Sequence, residues 1–160
     1  MGRDIHIRIV KKDRETNTWK HIKLYHKENR KFKVVDVYPF RNYELFDILD
    51  EKEENDEYFF APSIIMDDLP IALKKEIETA EKDFGFYGFR EINLADLKLY
   101  LHKVPKIRDY DYEENNSKAW KDNPVKSFIE KIEQYIDLAA PYWDFCCVDS
   151  DIRIIYWFDC

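Results

Sequence analysis

Residues 4–13 read DIHIRIVKKD, and this stretch decides the fold. Ile5, Ile7 and Ile9 alternate with Asp4, His6 and Arg8. A period of two is that of a strand with one face in a core and the other turned away from it. After the polar turn RETNT, residues 19–27, WKHIKLYHK, repeat the alternation, so the two stretches predict a hairpin. KFKVVDVY, 31–38, predicts a third strand stopped by Pro39. At the far end DIRIIYWFD, 151–159, is apolar on both faces, which predicts a central strand returning beside the first or the third.

Between these strands the spacing turns helical. In 41–52, RNYELFDILDEK, Asn42 predicts an N-cap and Glu44 suits the first turn. Residues 67–85 predict a second helix, with Asp68 as N-cap, Pro70 in the first turn, Gly85 closing it, and Ile71, Leu73, Ile77 and Ala80 as its apolar stripe. Asn93 predicts the cap of a helix over 93–103, and Asn123-Pro124 opens the strongest one, 123–140. Residues 86–92, FYGFREI, fit a short strand or a loop. The sum is a single α+β domain over 1–160: a mainly antiparallel sheet of three N-terminal strands plus the C-terminal strand, with helices packed on one face.

Composition narrows the function. Apolar residues make up 45% of the chain and aromatics 16%, so a packed core needs neither metal nor disulfide. The three cysteines show no Cys-x-x-Cys or Cys/His spacing, which predicts reduced thiols. Residues 1–12 interleave charges with apolar residues, unlike a signal peptide, and no apolar run nears the ~20 residues of a membrane helix. The expectation is a cytoplasmic protein without a membrane partner. Residues 1–33 hold eleven Lys/Arg against four Asp/Glu, a net +7 within a chain of net −7, which leaves −14 for the remainder. Residues 44–57 carry eight acids and one lysine. The overall acidity argues against general DNA or RNA binding. The acidic run, with Glu53, Glu54, Asp56 and Glu57 at its C-terminal end, suits a basic protein surface.

Three places can carry chemistry. Asp4, His6 and Arg8 share a strand face, and Asp151, Arg153, Trp157 and Asp159 share one on the last strand. If the strands are neighbours, Asp4, His6 and Asp159 can act as a catalytic set, and together with Asp151 they can hold a divalent cation for phosphoester hydrolysis. The simpler reading is a set of cross-strand pairs, with no catalytic residue, metal or cofactor. Arg41, just before a helix start, suits a phosphate, and Tyr43 beside it can stack on a base. In GFYGFRE, 85–91, Arg90 stands among aromatics, a surface for a nucleobase or a partner protein. No P-loop, GxSxG or HExxH is present.

DIHIRI, RNYELF and the closing IRIIYWFD together resemble a family of small bacteriophage and prophage proteins. Asp4, His6, Arg41, Asn42, Tyr43 and Asp159 are the residues that match its pattern. The resemblance spans both ends; in the middle DEKEENDEYFF departs from relatives richer in Gly and Pro. It implies a phage accessory protein in the host cytosol. The expected function is a non-catalytic inhibitor of host defence. One form captures a nucleotide second messenger, with Arg8, Arg41 and Arg90 on phosphates and Tyr43 or Trp157 stacking. The other docks on a defence protein. The alternatives are a metal-dependent phosphodiesterase or nuclease, and a structural or regulatory phage protein without a ligand. Its many aromatics are compatible with a homodimer.

Overall fold

The computed structural model describes residues 2–51, 60–101, 124–143 and 148–159. Its centre is a four-stranded antiparallel sheet in the order β2-β1-β6-β5, formed by β1 (Asp4–Asp13), β2 (Thr18–His21), β5 (Phe86–Asn93) and β6 (Ile152–Asp159). A second, two-stranded sheet pairs β3 (Leu24–His26) with β4 (Lys31–Lys33). Four α-helices complete the described residues: α1 (Tyr43–Leu49), α2 (Ile71–Glu81), α3 (Leu94–Leu101) and α4 (Pro124–Ala139). The fold is α+β, as the sequence predicts. None of the helices is long and apolar enough to cross a membrane among the described residues.

The C-terminal strand lies beside the first, with Ile5 opposite Phe158, Ile7 opposite Tyr156 and Ile9 opposite Ile154. Seven of the eight residues of β6 are buried, because helices cover both sides of it. On one side Ile5, Ile7, Ile9, Ile154, Tyr156 and Phe158 pack against Leu45, Phe46 and Leu49 of α1, Leu94 and Leu97 of α3, and Phe128 and Ile132 of α4. The Tyr156 hydroxyl donates to the Leu49 carbonyl at 2.8 Å, which satisfies its one polar atom in that core. On the other side Val10, Ile155 and Trp157 pack against Leu69 and against Leu73, Ile77 and Ala80 of α2.

Several expectations need correction. The helices do not share one face: α2 lies alone across the sheet from α1, α3 and α4. The stretch 19–27 is broken at Ile22–Lys23 into β2 and β3. Ile22 is fully buried, Tyr135 donates to the Ile22 carbonyl at 2.7 Å, and Trp143 donates to the Lys23 carbonyl at 3.0 Å. Side chains of the α4 region thus take the acceptors that a continuous ladder would have used. The third strand ends at Lys33 and joins β3 rather than the main sheet. Its place there is filled by β5. Gly88, at φ +67°, sits in a bulge between Tyr87 and Arg90. A Cβ on it would lie 2.7 Å from Phe158 and 2.8 Å from Asp50. The extra residue turns Phe89 to the α2 side, where it stacks on Trp157 at 5.7 Å.

Capping follows the sequence at two helices. The Leu45 amide donates to Asn42 Oδ1 at 3.1 Å, and the Asp96 amide to Asn93 Oδ1 at 2.7 Å. At α2 it does not. Asp68 is left-handed at φ +64°, and Pro70, extended at ψ 139°, holds the cap position. The helix ends before Gly85, which belongs to a turn closed by its amide on Asp83 Oδ1 at 2.9 Å. Ile71, counted in the apolar stripe, is 72% exposed.

Candidate functional site

The residues that alternate with the isoleucines of β1 point toward α2. His6 stands opposite Trp157, Arg8 opposite Ile155, and Asp4 opposite Asp159. Of these, His6, Arg8 and Trp157 line one wall of a cleft of about 540 Å³ between the sheet and α2. The other wall is Ala72, Lys75, Glu76 and Thr79 of α2, with Asp83 just beyond its end, and Phe86 closes one end. The helical spacing of three and four puts these α2 residues on one side. Ala72 and Ala80 are small, which leaves the space open.

His6 and Arg8 each have a partner. His6 Nε2 and Asp159 Oδ2 are 2.8 Å apart. The imidazole is stacked on Trp157 at 5.8 Å and meets the edge of Phe86 at 5.5 Å. Arg8 donates from Nε and Nη2 to Glu76 Oε1, at 2.9 and 2.5 Å, and from Nη1 to the Ile7 carbonyl at 2.9 Å. Its guanidinium lies 5.2 Å from the Trp157 ring. This is a charge-assisted clamp between β1 and α2 in a half-buried setting. Lys75, exposed on the opposite wall, has no ion-pair partner among the described residues.

Arg41 grips Asp4, with Nε on Oδ1 at 2.5 Å and Nη2 on Oδ2 at 3.1 Å. Its hydrogen bonds hold the Asp4 carboxyl below the ordinary carboxylate range. Asp4 is therefore turned to Arg41 while Asp159 is turned to His6. Asp151 is at the other end of β6, about 26 Å along the strand, where Arg14 binds it at 2.8 Å. The set Asp4, His6, Asp151 and Asp159 does not converge, and no group of three or more His, Cys, Asp or Glu side chains among the described residues is placed to hold a metal ion.

The remaining predicted residues scatter. Arg90 points to the segment over the sheet edge, donating to the Ala61 carbonyl at 2.8 Å and lying 5.1 Å from the Phe60 ring. It does not reach the cleft. Tyr43 is exposed on α1, edge-on to Phe46. Trp157 is 2% exposed and held between His6 and Phe89, so both ring faces are taken and neither is free to stack on a base. Glu53, Glu54, Asp56 and Glu57 lie outside the described residues.

Sequence reasoning missed the α2 wall. It read that helix for its apolar stripe alone. The second stripe at 72, 76, 79 and 83 follows the same three- and four-residue steps and was there to be found. It also missed Arg153 and Glu91, a buried ion pair. Arg153 donates to the Ile65 carbonyl at 2.9 Å and lies 4.7 Å from the Trp19 ring, which ties the segment before α2 to the sheet. Compared with protein-family models, with curated proteins and with solved structures, the chain gives no match.

Proposed function

We propose that this protein is a non-catalytic binding protein that takes a small anionic molecule bearing a planar ring, a nucleotide in the first instance, into the cleft between α2 and the sheet. One observation carries the reading: His6 and Arg8 of β1, Phe86 of β5, and Lys75 and Thr79 of α2 converge on one cleft of about 540 Å³. That volume is within the roughly 300–1,000 Å³ of small-molecule sites. Lys75, without an ion-pair partner among the described residues, is the first candidate for a phosphate. Arg8 adds a guanidinium already paired with Glu76. Phe86 offers a ring edge, while Thr79 and Asp83 offer hydrogen bonds to a sugar or base. The resemblance of the chain's two ends to phage proteins gives this binding a role: capture, in the host cytosol, of a nucleotide signal used in defence.

The test is a thermal-shift screen against linear and cyclic nucleotides, followed by calorimetry. A nucleotide at a hundredfold excess over its Kd adds about 2.7 kcal/mol to stability. Lys75→Glu changes an exposed side chain and leaves the fold intact, so it is expected to cut the affinity at least tenfold. Unchanged affinity in this variant overturns the assignment of the cleft.

A second reading rests on the bond between His6 and Asp159. An imidazole oriented by a carboxylate is half of a general-base arrangement, which a phosphoester hydrolase needs. Incubation of any bound nucleotide with Mg²⁺, Mn²⁺ or Zn²⁺ separates the two. Turnover abolished by His6→Ala supports hydrolysis; recovery of intact nucleotide supports capture.

A further inference from the structure

A different surface lies apart from the cleft. The hairpin of β3 and β4 is basic and aromatic. Lys27, Arg30, Lys31 and Lys33 are exposed, and none has an ion-pair partner among the described residues. Between the last two stands Phe32, 46% exposed. It packs on Tyr25 across the ladder at 5.1 Å and meets Tyr142, 40% exposed, at 6.2 Å. Within seven residues, 27–33, stand four cations without an ion-pair partner among the described residues, and the same hairpin carries part-exposed rings, which suits an anionic partner that also stacks.

We infer that this hairpin binds single-stranded nucleic acid, with Lys27, Arg30, Lys31 and Lys33 on the phosphates and Phe32 and Tyr142 under the bases. Cations that track a backbone beside stacking rings are the recurring form of sequence-tolerant single-strand binding. Two other anionic partners fit less well. A bilayer would have to receive the hairpin tip, yet residues 27–30 are Lys-Glu-Asn-Arg, which resist insertion. An acidic protein segment would use the cations and leave the exposed parts of Phe32 and Tyr142 uncovered. The net charge of −7 does not forbid the contact. At about 0.1 M salt, charges more than about 10 Å apart are largely screened, so a strand on the hairpin responds chiefly to the local cations.

Fluorescence anisotropy with a labelled oligothymidylate of about 20 nucleotides tests this. Binding is expected to saturate, and to weaken roughly fiftyfold between 50 and 200 mM salt if four phosphates are engaged. Phe32→Ala is expected to weaken it about tenfold. Charge reversal of Lys27, Arg30, Lys31 and Lys33 should abolish it while circular dichroism remains that of the parent. Lys75→Glu should leave it unchanged, which separates this surface from the cleft. No binding at 50 mM salt overturns the inference. So does binding indifferent to Phe32→Ala, or equal affinity for polyglutamate or phosphatidylserine vesicles, since each marks a surface that recognises charge alone.

Discussion

The two faces of the central sheet are made from alternate residues of the same strands, and they differ in what covers them. One face shows Ile5, Ile7, Ile9, Ile154, Tyr156 and Phe158 to three helices, and these side chains are 5% exposed or less. The other shows His6, Arg8, Arg153, Ile155 and Trp157 to α2 and the segment before it. On the first face packing is nearly all apolar. On the second, polar contacts and stacked rings carry much of the contact: the ion pairs of Arg8 with Glu76 and Arg153 with Glu91, and the hydrogen bond between His6 and Asp159. One helix is too narrow to seal a four-stranded sheet, since neighbouring strands lie about 4.8 Å apart and a helix is about 10 Å wide. The uncovered part of the second face is the cleft. The lesson is that a strand's polar alternates need not face bulk water; a single helix laid over them leaves a cleft.

The comparison can be broken at graded cost. Phe158→Ala on the apolar face should cost most, about 3–5 kcal/mol in urea unfolding. The ring is fully buried, and the Arg3 guanidinium lies 4.5 Å from it. On the polar face Glu91→Leu alone should cost about 3 kcal/mol, because it leaves Arg153 buried without its carboxylate. The double change with Arg153→Met should recover most of that loss. Should the double variant stay as unstable as the single one, the pair is not the source of the effect.

The next effect depends on pH. His21 lies on the α2 side, opposite Val10. Burial, helped by the Lys23 and Arg8 cations, lowers its pKa from 6.5 to about 4. The unfolded chain therefore takes up this proton near pH 6.5 and the folded chain only near pH 4. Between those values the unfolded state holds more protons, so stability is full above pH 6.5 and falls as the pH drops toward 4. The loss from this group is about 3 kcal/mol at most. Urea midpoints measured from pH 7 to 4.5 should show the slope, and His21→Gln should flatten it. The smallest effect is at the exposed pair of Arg41 and Asp4. Arg41→Ala should leave the melting midpoint unchanged, as exposed pairs contribute little. It should also let the Asp4 carboxyl titrate closer to its ordinary value, which NMR can follow.

The apolar face was legible in the sequence and the polar one only in part. The isoleucine alternation of β1 and the doubly apolar β6 announced a central pair, and Asn42 and Asn93 announced their helix starts. Pairing of the two end strands also brought His6 and Asp159 together as the alternation allowed. What escaped is tertiary. Nothing local says that α2 crosses to the far side of the sheet, and its polar stripe resembles any solvated helix face. Nor does the alternation of 19–27 show the break at Ile22, which depends on Tyr135 and Trp143 taking the freed carbonyls from more than a hundred residues away. The bulge at Gly88 was equally hidden. A one-residue insertion reverses which side chains of β5 meet Trp157.

The most direct test of the central claim, that the face under α2 is open to a ligand, is an amide chemical-shift titration with linear and cyclic nucleotides. The structure predicts saturable shifts concentrated at His6, Arg8, Thr79 and Phe86 and lost in Lys75→Glu. Shifts confined to other parts of the fold, or none with any nucleotide, would contradict it.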